Sequence, residues 1–140
     1  KEFIEELSLI NYQYNDLGLT THIKGLVANT IEVEREIEEA SIIVNATPVG
    51  MRSYEINNTT TNLMPLGNKI WEKLKPKTIL YDLIYNPRQT AWLAYGETQK
   101  CQTINGLEML IGQGAASLKI WSKCKEVPLE IMRNEALKNL

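Results

Sequence analysis

Three short segments bring polar side chains to the end of apolar runs of strand length. In open parallel α/β sheets, ligands bind beyond the carboxyl ends of the strands, so these are the places where chemistry is expected. The first is Asn45-Ala46-Thr47-Pro48-Val49-Gly50, after the apolar run at 41–45. Asn45 and Thr47 supply short polar side chains there, and Gly50, having no Cβ, lets the chain pass close to a ligand. The same residue types also build ordinary turns, so the residues alone leave both readings open. The second segment holds Asp82, an acid inside an apolar strand, and Tyr85 at the strand's end. A buried carboxylate is costly unless hydrogen-bonded, so Asp82 is expected to accept from main-chain N–H groups or to meet a Lys or Arg. The Tyr85 phenol could donate to a hydroxylated substrate or pack in the core. The third is Asn105-Gly106, opening a helix whose first turn offers unpaired N–H groups and a positive dipole end. Gln113, set among Gly112, Gly114 and Ala115, has no evident structural task. A lone Gln usually faces solvent, but its small neighbours favour a ligand contact. Met109, Gln113, Ala116 and Ile120 form a stripe beside the core face of the same helix.

Other chemistries are excluded. Cys101 and Cys124 make no CxxC spacing and are expected as buried or half-buried free thiols. His22 is the sole histidine, too few with two cysteines for a zinc site, so no metal is expected. There is no G-x-G-x-x-G turn to receive a pyrophosphate, and no Lys–Asp acid–base couple stands out. A net charge of -2 and a pI near 5.5 give no basic footprint for nucleic acid. Lys73 and Lys75 beside Glu72 read as a solvated face. No apolar run approaches the ~20 residues of a membrane span, and no signal peptide is visible.

The elements that must position these groups alternate between helix and strand, the signature of an α/β layer with a mainly parallel sheet. Hydrophobic residues at 44% and charged residues at 23% suit a globular domain. Residues 1–9 carry Phe3, Ile4 and Leu7 at helical spacing, and 19–23 reads as a short strand. Thr30 is placed to cap an acidic helix over 31–40. The run at 41–45 lacks alternation, as does a strand buried on both faces. Residues 52–66 are polar and loop-like, and 68–74 form a short helix stopped by Pro76. A second buried strand is expected over 78–85, and a helix over 88–99 interrupted or ended near Gly96. A third strand falls at 102–104. The strongest helix spans 107–121, with Leu107, Leu110, Ile111, Leu118 and Trp121 lining its core face. A last helix covers 129–137.

Three stretches in order, IIVNATPVGM at 42–51, LYDLIYNP at 80–87 and INGLEMLIGQ at 104–113 running into GAASLKIW, resemble shikimate dehydrogenases. The resemblance covers residues 40–122 well and the first 40 loosely. It implies an N-terminal substrate domain, a C-terminal Rossmann-like NADP domain, and reversible NADPH-dependent reduction of 3-dehydroshikimate to shikimate on the route to aromatic amino acids. Carried over residue by residue, it puts Asn45, Ala46 and Thr47 along the cofactor near the nicotinamide. Leu83, Gly106 and Met109 would contact that ring region. Tyr85 and Gln113 would reach across the interdomain cleft to shikimate. It also implies a cytoplasmic enzyme, monomeric or homodimeric at full length.

The family's catalytic Lys and Asp, its Gly-rich phosphate loop and the Arg segment selecting NADP have no counterparts here and would precede Lys1. The expectation is therefore a Rossmann-like α/β domain portion over 1–140, incomplete in its first strands and inactive alone. Its helices at 107–122 and 129–137 would pack back toward the substrate domain. With a strand missing beside 41–44, an uncovered edge is expected to make the chain marginally stable. The alternatives are a quinate/shikimate dehydrogenase using NAD, a non-catalytic binding module derived from the fold, or another Rossmann oxidoreductase.

Overall fold

The computed structural model describes residues 23–51 and 63–140. The expected helix at 1–9, all but the last residue of the strand at 19–23, His22 and most of the loop at 52–66 lie outside the described residues.

Among the described residues three parallel strands form the sheet, β1 (Ile42–Asn45), β2 (Ile79–Asp82) and β3 (Gln102–Ile104), in the order β1-β2-β3. The register pairs Ile43 with Leu80, Asn45 with Asp82 and Leu80 with Thr103. Side chains alternate across a sheet, so Ile43, Asn45, Leu80, Asp82 and Thr103 share one face. That face is the covered one. Leu80 and Asp82 are fully buried, and Leu80 joins Ile37, Ile70, Trp71, Leu74, Trp92 and Leu93 in one core cluster. The opposite face carries Ile42 and Val44, 59% and 52% exposed. This corrects the expectation of a β1 buried on both faces: among the described residues it is an edge strand with one side covered. Lack of alternation reported apolar side chains, not what covers them.

The helices are α1 (Ile31–Glu39), α2 (Asn68–Trp71), α3 (Ala91–Thr98), α4 (Leu107–Ser122) and α5 (Leu129–Lys138). Thr30 stands at the α1 N-cap, but its hydroxyl donates to the Val27 carbonyl at 2.9 Å and makes no cap bond. Glu32 and Glu34 in the first turn suit the positive dipole end instead. The α2 helix is shorter than expected, because turn bonds from Lys73 N–H to Ile70 O and Leu74 N–H to Trp71 O replace its last turn. Trp71 and Trp92 meet with ring centroids 5.3 Å apart in a tilted arrangement, a contact worth about 0.5–1.5 kcal/mol beyond burial.

The α3 helix starts at Ala91 rather than residue 88, because the Thr90 hydroxyl accepts from Leu93 N–H at 3.3 Å and fixes the N-cap there. Gly96 does not interrupt it, but the helix ends close by, at Thr98, as expected. A Cβ at Gly96 would lie 2.2 Å from Leu80 Cδ1, so the missing side chain lets α3 sit directly on β2.

On α4 the buried positions are Leu107, Ile111 and Ala115, while Leu110 and Leu118 are over a third exposed and Trp121 is 81% exposed. The expected core face is thus shorter than the sequence stripe. Gly114 packs against α5, where a Cβ would lie 3.3 Å from Met132 Cε. Arg133 on α5 holds Glu108 on α4 through two bonds of 2.8 Å and also bonds Glu130. Cys101 is half-buried, its thiol pushed up by burial, whereas Cys124 is exposed rather than buried as expected.

Candidate functional site

The site is built where the chain leaves the three strands. Asn45 ends β1 with its side chain on the covered face, where the register sets it beside Asp82. Its Nδ2 donates to Asp82 Oδ1 at 3.0 Å and to the Val49 carbonyl at 3.4 Å. Its Oδ1 accepts from the Thr47 N–H at 3.0 Å and the Thr47 hydroxyl at 2.7 Å. Both ends of the amide are therefore engaged internally. Asn45 shapes the loop, and its side chain has no donor left for a ligand. The loop closes with Met51 N–H bonding Pro48 O at 3.0 Å and with Gly50 at φ 99°, a left-handed conformation that glycine adopts without strain. Ala46 and Thr47 are exposed at its rim.

Asp82 is fully buried and meets no Lys or Arg among the described residues, settling its expected partners in favour of hydrogen bonds. It accepts from Asn45, from Ile84 N–H at 3.1 Å and from the Thr90 hydroxyl at 2.7 Å. The bond to Ile84 is a local Asx turn, which takes the chain out of the ladder. That is why β2 stops at Asp82 and not at residue 85. Tyr85 emerges after this turn 39% exposed, and Leu83 is half-buried. The Asn86–Pro87 bond is cis.

The third segment is locked to the second. Gly106 N–H donates to Ile84 O at 2.9 Å, and a Cβ on Gly106 would fall 2.0 Å from Leu83 O. Asn105 Nδ2 donates to Arg88 O at 2.9 Å, while its Oδ1 accepts from Leu107 N–H at 3.1 Å at the start of α4. One side chain thus caps α4 and holds the loop before α3. Met109 is half-buried on the first turn of α4, and Gln113 is exposed one turn on. Of its small neighbours, Gly114 serves α5 packing, and Gly112 has nothing among the described residues within 4 Å of a would-be Cβ. The structure thus connects Asn45, Ala46, Thr47, Leu83, Tyr85 and Gly106 through adjoining loops. Met109 and Gln113 extend from the same corner along α4.

Sequence reasoning does not single out Thr90, although a Thr directly before Ala91-Trp92-Leu93 is a helix-start signal. It finds Asn105 only as the residue before Gly106. Among the described residues no group of His, Cys, Asp and Glu could hold a metal ion, and no helix is long and apolar enough to cross a membrane.

A family model described as the shikimate 5'-dehydrogenase C-terminal domain matches residues 106–137. The chain is 43% identical over 139 residues to a shikimate dehydrogenase (NADP(+)) of Prochlorococcus marinus strain MIT 9215, a match spanning 99% of this chain and 45% of that protein. It therefore spans just under half the length of that relative. Among solved structures it is similar to a shikimate dehydrogenase in complex with NADP+, at 36% identity and TM-score 0.63 over 76% of this chain and 34% of the other. It is similar also to the Thermus thermophilus shikimate 5-dehydrogenase in complex with NADP(H) and shikimate. There the identity is 27% and the TM-score 0.62, over 77% of this chain and 37% of the other.

Proposed function

Because this chain belongs to the shikimate dehydrogenase family, we propose that it forms the nicotinamide-side wall of an enzyme that interconverts shikimate and 3-dehydroshikimate with NADP. The observation that carries the reading is the interlocking of three strand-end loops. Asn45–Asp82 joins the first to the second, and Gly106 against Leu83 joins the second to the third. A wall held in this way keeps its shape before ligand arrives, which lowers the ordering cost of binding.

The residues fit a dinucleotide's nicotinamide end by the chemistry of what they leave accessible. Ala46 and Thr47 supply an exposed loop rim, held from behind by the buried Asn45 amide. Leu83 and Met109, half-buried on either side of the buried Gly106, supply a largely apolar surface suited to one face of a flat ring. NADP, when bound, supplies hydride transfer to and from the substrate carbon. The protein's part is to orient that ring and keep water off one side of it. Tyr85 and Gln113, both exposed and polar, are assigned to hydroxyl or carboxylate groups of shikimate. The proton-transfer residues, the dinucleotide phosphate site and the bulk of the substrate pocket are assigned to the part of the family's length that this chain does not span.

The α4 and α5 helices are assigned to the boundary with that part. Ile120, Trp121 and Ile131 are 75%, 81% and 63% exposed, and α5 has no buried residue. Large apolar side chains grouped on two packed helices are what an interdomain surface offers. A cytoplasmic monomer or homodimer goes with this reading.

The test is shikimate-dependent reduction of NADP, followed by absorbance, in the full-length protein. Turnover with NADP and shikimate supports the proposal, and its absence overturns it.

A further inference from the structure

Asp82 is the only buried carboxyl group among the described residues, and its three donors come from three different segments. They are the Asn45 amide at the end of β1, the Ile84 N–H just after β2, and the Thr90 hydroxyl at the start of α3. A carboxylate offers acceptors only, so it dictates which way its neighbours face. Asn45 must turn its NH2 group inward, and its Oδ1 is thereby aimed at Thr47. Thr47 in turn accepts from Val49 N–H at 3.3 Å, which continues the order into the loop. Thr90, donating to Asp82, keeps a lone pair for Leu93 N–H, and its side chain lies against Gly50 across the loop.

We propose that Asp82 is a positioning residue for dinucleotide binding, acting through the Asn45 amide to set the Ala46–Thr47 rim. The proposal rests on the dehydrogenase reading above and extends it to a side chain that no ligand reaches, since Asp82 is fully buried. A purely structural Asp82 would hold the Thr90 cap of α3 and stabilise the fold without altering how the rim meets a ligand. The two roles separate because only the first runs through Asn45.

The experiment uses the full-length protein with Asp82→Ala, Asn45→Ala and the double substitution, assayed for NADP affinity and for amide hydrogen exchange. Asp82→Ala is expected to raise the Kd for NADP about tenfold, the cost of disorganising one buried hydrogen-bonded arm. Asn45→Ala should match it, and the double variant should add nothing, because both remove the same link. The Thr47 amide should exchange about tenfold faster in Asp82→Ala, while the Gln102 amide, in the ladder bond to Thr78 O, stays protected. Additive losses in NADP affinity, or unchanged Thr47 protection, overturn the proposal. Should Asp82→Ala fail to fold, Asp82→Leu, similar in branching but with no acceptor, takes its place under the same criteria. Absence of NADP binding by the unsubstituted protein overturns the functional reading and this proposal together. Normal binding with unaffected variants overturns this proposal alone.

Discussion

Gly106 and Leu83 are in main-chain contact: the Gly106 Cα approaches so closely that a Cβ there would stand 2.0 Å from the Leu83 carbonyl oxygen. The loop leaving β2 and the helix start leaving β3 can adjoin only because residue 106 has no side chain.

Gly106→Ala should therefore be among the most damaging single-methyl additions in the chain. The clash is with main chain, so no rotamer change relieves it, and overpacking of this kind costs about 1–3 kcal/mol or more. Gly112 is the matched control, since it lies in the same helix with nothing among the described residues near a would-be Cβ. Gly112→Ala should stabilise by about 0.5–1 kcal/mol through helix propensity. Urea unfolding of the two variants should give shifts of opposite sign.

Gly96→Ala should cost about 1–3 kcal/mol by driving a methyl into Leu80 Cδ1. Here the obstacle is a side chain, so it can be cut back. Leu80→Val alone should also destabilise, yet combined with Gly96→Ala it should cost less than the sum of the two. Strict additivity in a double-mutant cycle would contradict the contact.

The two core tryptophans should respond unequally to Phe. Trp71 Nε1 donates to Leu66 O at 3.2 Å, whereas Trp92 Nε1 is buried without a hydrogen-bond partner among the described residues. Trp71→Phe strands a carbonyl and Trp92→Phe removes an unsatisfied donor. The first should therefore be the costlier by about 1–3 kcal/mol in denaturant unfolding.

Acid should loosen the α4–α5 contact. Hydrogen bonds from Arg133 hold the Glu108 carboxyl below its ordinary 4.5. A carboxyl lowered on folding contributes stability that is fully present above its unfolded value and is lost as pH falls through its folded one. Unfolding measured at pH 7 and again below pH 4.5 should show a loss that is smaller in Glu108→Gln. An equal pH dependence in both proteins would rule out this source.

On the proposed function, Gln113→Ala in the full-length protein should raise the KM for shikimate about tenfold while leaving the KM for NADP in place. An unchanged shikimate KM would return Gln113 to the solvent-facing surface of α4.

Elements fixed by local chemistry were legible in the sequence. Asn105-Gly106 before an apolar stripe marked the start of α4, and 102–104 marked β3 to the residue. What depended on distant partners was not. Asp82 reads as an anomaly in sequence because Asn45 lies 37 positions away, and only the parallel register makes them neighbours. Gly96 marked the neighbourhood of the helix end, but not its own reason for being glycine, which is Leu80. The apolar run of β1 signalled a buried strand, while its Ile42 and Val44 face is uncovered among the described residues. Of the candidate site, the three loops were located from strand ends alone, but not that Asn45 turns its side chain inward.

The ladder bonds also settle what the other border of the sheet has to offer. Ser41 O accepts from Ile79 in β2 and Asn45 O from Leu83 just past it, so the intervening Ile42 and Val44 direct their N–H and C=O groups outward. That rim is a comb with its teeth set at every second residue. Among the described residues nothing meshes with it, and a strand that did would be selected by spacing before any side chain was read.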